Sequence, residues 1–268
     1  MFLDFGLLAK NLLNYKIKII FRLKGDFKLW DTSKDYRILV ASKARENYLN
    51  LIPTASFRGS WNKKQAVDMG KQMNSNFQSL IYSYLEGDEL TNSPDVAELK
   101  EKALKIIEYL GGDDWSKKFL NNAPKEEREK TQENIAKVRF FLDTIIGLKD
   151  RLALGPINDP VLSIDIKAGE VMSVTKHPKN ENLMICNVNL GKRAVTVVTN
   201  DLNVKDENKV GVSLLPPQAF SDIVSEGMFL GMNGSILKDV EGELGSMPKG
   251  IPMESLNETR NLVENYLK

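Results

Sequence analysis

A run of chain breakers, Leu154-Gly155-Pro156-Ile157-Asn158-Asp159-Pro160, separates two stretches with different hydrophobic periods. Upstream, apolar residues recur three and four positions apart, which is the spacing of one helix face. Downstream they gather in short runs rich in Val, Ile and Thr, divided by turn residues. A 3.6-residue pattern cannot bury one face of a strand, and a two-residue pattern cannot bury one face of a helix. The chain is therefore expected to build two units of different class.

The upstream stretch reads as four helices. Ser33 is expected to cap a helix that runs to about Asn50 and is stopped by Pro53. Asn62 caps a second, in which Met69, Met73, Phe77, Leu80 and Tyr84 recur at helical spacing as far as Gly87. Ser93-Pro94 combines an N-cap with proline at the first helical position, and Gly111-Gly112 ends that helix. Pro124 opens a longer helix carrying Ile135, Val138, Leu142 and Ile145. Short connections between such helices imply an antiparallel bundle, with the Met and aromatic stripes as its core.

Downstream, strands are expected at 163–175, 183–190, 193–199, 209–215 and 228–232, followed by a helix over 255–267. Five short strands in so few residues suit a small closed barrel of the OB type. The fold class is thus α+β: an N-terminal helical bundle followed by a five-stranded OB-fold β-barrel with a C-terminal helix. The units are an N-terminal extension over 1–30, a helical domain over 31–155 and the barrel domain over 161–268. Met1–Lys24 is apolar and basic, but it has neither the charge order nor the cleavage site of a secretory signal, and its cations scatter around a helical wheel. It reads as an extension of the folded part.

Composition narrows the chemistry. Of the 268 residues one is Cys and one is His, which excludes a disulfide framework, a multi-cysteine zinc site and any mechanism needing two imidazoles. No apolar run approaches the roughly 18 residues of a spanning helix, so no membrane partner is expected, and the cysteine usage fits a cytoplasmic protein. Gly242, Gly245 and Gly250 do not form a phosphate loop, and Gly227, Gly231 and Gly234 do not form a dinucleotide fingerprint. His177, before Pro178 at a strand end, reads as a turn residue, and Cys186, inside a strand, as a buried thiol. No active site, metal site or cofactor is expected, and the chain reads as a non-enzyme.

Charge is segregated along the chain. Lys10 to Lys71 holds 14 basic residues against 5 acidic ones, whereas residues 161–268 hold 11 against 14. The positive field lies near the N-terminus.

The second half carries a series of segments in a telling order. Ile166-Lys167-Ala168-Gly169-Glu170-Val171 comes first, then His177-Pro178, Asn182-Leu183 and Val188-Asn189-Leu190-Gly191. The strand Val195-Thr196-Val197-Val198-Thr199-Asn200 and the loop Ser225-Glu226-Gly227-Met228-Phe229-Leu230 complete it. This series resembles the tRNA-binding OB domain, over about residues 163–250. That family occurs as a C-terminal appendage of methionyl-tRNA synthetases, inside the β chain of bacterial phenylalanyl-tRNA synthetases, as free-standing tRNA-binding proteins and in the endothelial monocyte-activating polypeptide. The resemblance implies a grip on the folded corner of tRNA through phosphates and riboses, with little sequence preference. It places Ser225 and Met228 on the RNA-facing loop, with Gly227 allowing close backbone approach. Lys176, Lys192 and Arg193, at the ends of the implied binding strands, are the phosphate partners. The other reading of the loop is a turn into the last strand with Met228 packed inside.

The sequence departs from the family pattern in two places. Leu214 to Asp222 contains no basic residue, and Asn189 stands where the family commonly has Asp. The basic segment Phe57-Arg58-Gly59-Ser60-Trp61-Asn62-Lys63-Lys64 is expected to compensate, with Arg58, Lys63 and Lys64 on phosphate and Trp61 stacking; its alternative is a solvated loop with Trp61 anchoring the bundle. The leading function is non-catalytic tRNA binding, in trans to an aminoacyl-tRNA synthetase, with a homodimer through the OB domain among the partners. The rivals are a protein-interaction or dimerisation scaffold whose barrel no longer binds RNA, and an enzyme accessory subunit unrelated to translation.

Overall fold

The computed structural model describes residues 30–268, so all of the expected N-terminal extension but Trp30, which packs against the helical core, lies outside the described residues. The helical unit contains α1 (Tyr36–Leu51), α2 (Lys63–Ile81), α3 (Gly87–Thr91), α4 (Pro94–Leu110), α5 (Trp115–Asn122), α6 (Arg128–Ile146) and α7 (Leu148–Leu152). Two of the expected caps do their work: the Asn62 side chain accepts from the Gln65 N–H and the Ser93 side chain from that of Val96. Gly111, at φ 116°, closes α4 in the left-handed region that glycine enters without a Cβ penalty. Ser33 does not cap α1. It is drawn into a 3₁₀ turn by Asp31, and Asp35 caps the helix instead, accepting from the Arg37 N–H at 3.0 Å.

Two further corrections concern the second half of the bundle. The short helix α5 was not expected, because its eight residues are too few to show a period; Trp115 and Phe119 are buried in the core and Leu120 packs at its edge. Pro124 opens only a 3₁₀ lead-in over Lys125–Glu127, and α6 starts at Arg128. In the core, Tyr48 of α1 stacks on Phe141 of α6 at 4.4 Å, and Phe57 of the α1–α2 connection stacks on Phe119 of α5 at 4.4 Å.

A buried ion pair closes the bundle onto the linker. Arg37 clasps Asp35 through Nη2 at 2.6 Å and Nε at 2.9 Å, and its Nη1 reaches the carbonyls of Arg151 and Gly155. Both side chains are only 1% exposed. Removing one partner of such a pair costs about 3–5 kcal/mol, because the other charge is left buried and alone.

The C-terminal unit is built on a five-stranded antiparallel sheet of order β3-β2-β1-β4-β7, from β1 (Asp165–His177), β2 (Asn180–Asn189), β3 (Ala194–Thr199), β4 (Lys209–Leu214) and β7 (Met228–Phe229). Four of these strands fall close to their expected positions. The hairpin β5 (Gln218–Phe220) and β6 (Ile223–Ser225) was not expected, nor was the pair β8 (Gly231–Met232) and β9 (Ser235–Ile236). β1 is long enough to serve both sides: Glu170 is paired with Asn189 of β2 and with Lys209 of β4, and an irregularity between Val171 and Ser173 lets the strand bend.

The two units share a small apolar cluster. Val40 of α1, Ile164, Leu215 and Val263 of the C-terminal helix α8 (Asn257–Leu267) pack together, so α8 lies against both. Arg260 of α8 clasps Asp159 in the breaker run through Nε at 3.1 Å and Nη2 at 3.0 Å. Thr259 shares a 2.8 Å hydrogen bond with Ser213 of β4.

Candidate nucleic-acid interface

The outer edges of the sheet, β3 and β7, meet through the loop Ser225-Glu226-Gly227-Met228. The Glu226 N–H donates to Thr196 O at 2.9 Å, and the Val198 N–H donates to Ser225 Oγ at 2.9 Å. These two bonds stand where a strand ladder would otherwise close the barrel. Ser225 is 4% exposed, and its hydroxyl proton goes to Gly227 O at 2.8 Å. Gly227 is required by space: a Cβ there would lie 2.3 Å from Ser213 O. Met228 packs against the Val40, Ile164, Leu215 and Val263 cluster. The loop is thus the seam of the barrel: Ser225 is committed to protein partners, and half-buried Met228 also borders a neighbouring cleft.

The helical unit grips the same seam. Glu226 Oε2 accepts from Arg139 Nη1 of α6 at 2.9 Å and from Arg193 Nη1 at 2.9 Å. Arg193 reaches on to Asp143 of α6 at 3.3 Å. Nearly half of the Asp143 side chain still meets solvent, yet the walls around it desolvate the carboxyl and push its pKa up, against the pull of Arg193 and Arg139. Arg193 therefore spends its guanidinium on two carboxylates. Sequence reasoning missed Arg139 and Asp143, because charged residues on a helix carry no signal beyond that of a solvated face.

The outer face of β1, β2 and β3 is different. Asn187 Nδ2 donates to Ser173 Oγ at 3.1 Å and Thr196 Oγ1 to Asn187 Oδ1 at 3.5 Å, forming a polar row across the three strands. Lys176, opposite Met184 near the end of β1, alternates onto the side of Val174 rather than that of Ser173, and Lys192 lies in the β2–β3 turn. Both lysines are exposed, and neither has an ion-pair partner among the described residues. Lys179, by contrast, is tied to Asp222.

His177 holds one end of the face in shape. It is buried, and its Nδ1 accepts from the Lys179 N–H at 3.1 Å, so Nε2 carries the proton and donates to Phe220 O at 2.9 Å. It tethers the β1–β2 turn to β5. Cys186 is fully buried in β2, where burial pushes its thiol up to about 12; it is no nucleophile at neutral pH.

The basic segment of the helical unit sits at the α1–α2 connection. Arg58 pairs with Glu127 at 2.6 Å and holds that carboxyl below the usual range. Lys63 Nζ donates to Pro53 O at 2.6 Å. Trp61 packs edge-on against Phe57 and Phe119, at 5.8 and 5.7 Å. Lys64 is exposed and has no ion-pair partner among the described residues.

A cleft of about 1310 Å³ opens between α1, α6 and α8 on one side and the β5–β6 and β8–β9 hairpins on the other. Among the described residues no group of three or more His, Cys, Asp or Glu side chains could hold a metal ion, and no helix is long and apolar enough to cross a membrane.

Comparison with known proteins decides what kind of barrel this is. Residues 166–254 match the family model described as "Putative tRNA binding domain". The barrel is a tRNA-binding-family domain. Residues 29–155, which include the bundle, match the model described as "Alpha helical domain". The chain is 28% identical over 133 residues to the phenylalanine–tRNA ligase beta subunit of Thermotoga maritima. That match takes in 46% of this chain and 16% of the ligase subunit. The tRNA-binding domain is thus set here beside a helical unit whose α6 is pinned to its seam.

Proposed function

We propose that this protein binds tRNA without catalysing a reaction on it, acting in the cytoplasm in trans to an aminoacyl-tRNA synthetase. The family match carries this reading, because it falls on a barrel whose β1–β2–β3 sheet bears an exposed polar row and has two unpaired, exposed lysines near its ends. Lys176 and Lys192 take phosphates, and Ser173, Asn187 and Thr196 offer hydroxyl and amide groups to ribose. Ser225, Gly227 and Met228 contribute by holding the barrel's shape, and Arg193 by fixing the seam. Arg58, Trp61, Lys63 and Lys64 form a second, weaker contact on the helical unit. Likeness to a ligase subunit supports the link to a synthetase.

Titration of labelled tRNA against an unrelated stem-loop of equal length tests the reading. The Lys176→Glu, Lys192→Glu double variant is expected to lower affinity for tRNA and to reduce the salt slope by roughly one unit per lost phosphate contact. Equal binding of both RNAs by the double variant and the unaltered chain rejects it. The second reading, a scaffold or homodimer without RNA binding, draws on the excess of acidic over basic residues in 161–268. It predicts synthetase capture in RNase-treated extract, together with no tRNA binding even in dilute buffer.

A further inference from the structure

The interdomain cleft is larger than the roughly 300–1,000 Å³ of ordinary small-molecule pockets, at about 1310 Å³. Its apolar lining comes from several elements: Phe140 of α6, Leu215, Phe220 of β5, Met228, Met232 of β8 and Leu262 of α8. Tyr266 stands edge-on to Phe140 at 5.9 Å, and its hydroxyl accepts from Asn47 of α1 at 2.9 Å, so one wall is braced. Methionines on such a wall adapt to different apolar partners.

The charges lining it have one sign left over. Lys137 is neutralised by Glu133 at 2.5 Å. Asp201 is turned inward, accepting from the N–H groups of Asn203 at 2.8 Å and Ile236 at 3.0 Å. Glu254 and Glu258, before and within the first turn of α8, are exposed and without an ion-pair partner among the described residues. A phosphate chain entering this cleft would meet unpaired carboxylates; a cationic occupant would find its counter-charges in place.

We propose that the cleft is a docking groove for a basic amphipathic helix of a partner protein. The apolar face of the helix lies on Phe140, Met228, Met232 and Leu262, and its lysines or arginines face Glu254 and Glu258. A helix about 10 Å across and ten residues long occupies roughly 1,200 Å³, which matches the groove. The groove borders the sheet at Leu183 of β2 and Val198 of β3 but does not include Ser173, Asn187 or Thr196, and this inference holds whether or not the chain binds RNA.

The test uses the full chain and a fluorescent, roughly fourteen-residue peptide of Leu and Lys at helical spacing, with a Leu and Glu twin as control. Saturable binding of the basic peptide and none of the acidic twin is expected. Glu254→Lys with Glu258→Lys should weaken the basic peptide by roughly tenfold, since two rim pairs turn from attractive to repulsive. Met232→Asp, at the groove wall, should weaken it independently, and circular dichroism shows that each variant is folded. The inference is overturned if both groove variants bind the peptide as the unaltered chain does. It is also overturned if single-stranded RNA displaces the peptide and loses binding in the same variants, or if those residues instead govern self-association in sedimentation.

Discussion

The two sides of the barrel use similar residues to opposite ends. On the seam side, Ser225, Glu226 and Arg193 have their polar groups committed to backbone or to opposite charges, and α6 lies across them. On the open side, the side chains of Ser173, Asn187 and Thr196 bond to one another, and Lys192 in the adjoining turn meets solvent. A serine in a buried seam is a structural acceptor, whereas a serine on an uncovered sheet is free to exchange its bond for one to a ligand. Residue type did not separate these roles. Position relative to the helical unit did.

Gly227→Val breaks the comparison most severely if it is wrong. The new side chain collides with Ser213 O, and a loss of about 3 kcal/mol is expected in urea unfolding of the full chain. An unchanged midpoint would show that the loop is not a seam. Ser225→Ala leaves the Val198 N–H without its acceptor inside protein, for about 2 kcal/mol. Glu226→Gln removes the charge between Arg139 and Arg193, and since both arginines are partly exposed, about 1 kcal/mol is expected. Asn187→Ala, on the open side, should stay within about 0.5 kcal/mol of the unaltered chain; a larger loss would mean that the polar row is structural too.

The smallest effect is a pH dependence. The Asp143 carboxyl is held above its ordinary value, so the folded chain takes up a proton more readily than the unfolded one. Its contribution to stability therefore declines as pH rises from the unfolded value of ~3.9 through the raised folded value. Asp143→Asn should flatten that part of the stability profile, as measured by thermal unfolding at stepped pH. A steeper profile in the variant would reverse the assignment.

Much of this was legible in the sequence because it rests on local rules. Asn62, Ser93 and Gly111 act within one turn of their own position, and four of the strands alternate about Val and Ile in the register their neighbours need. The errors have physical reasons as well. Ser33 lost its capping role to Asp35 because Asp35 also had a buried arginine to hold. α5 and the β5–β6 hairpin are too short to display a period, and only packing keeps them.

The sequence by itself determined the two textures, the breaker run between them, the barrel's strands and the family of that barrel. The tertiary structure alone decided which side chains are available to a ligand. Availability depends on what covers a group, and the covering residues, Arg139 and Asp143, lie 87 and 50 positions from the groups they hold. It also decided that Lys176 and Lys192 stay uncovered and that Glu254 and Glu258 are left facing an apolar cleft. A one-dimensional pattern records which surfaces are apolar; it does not record where charges from distant segments come to cancel.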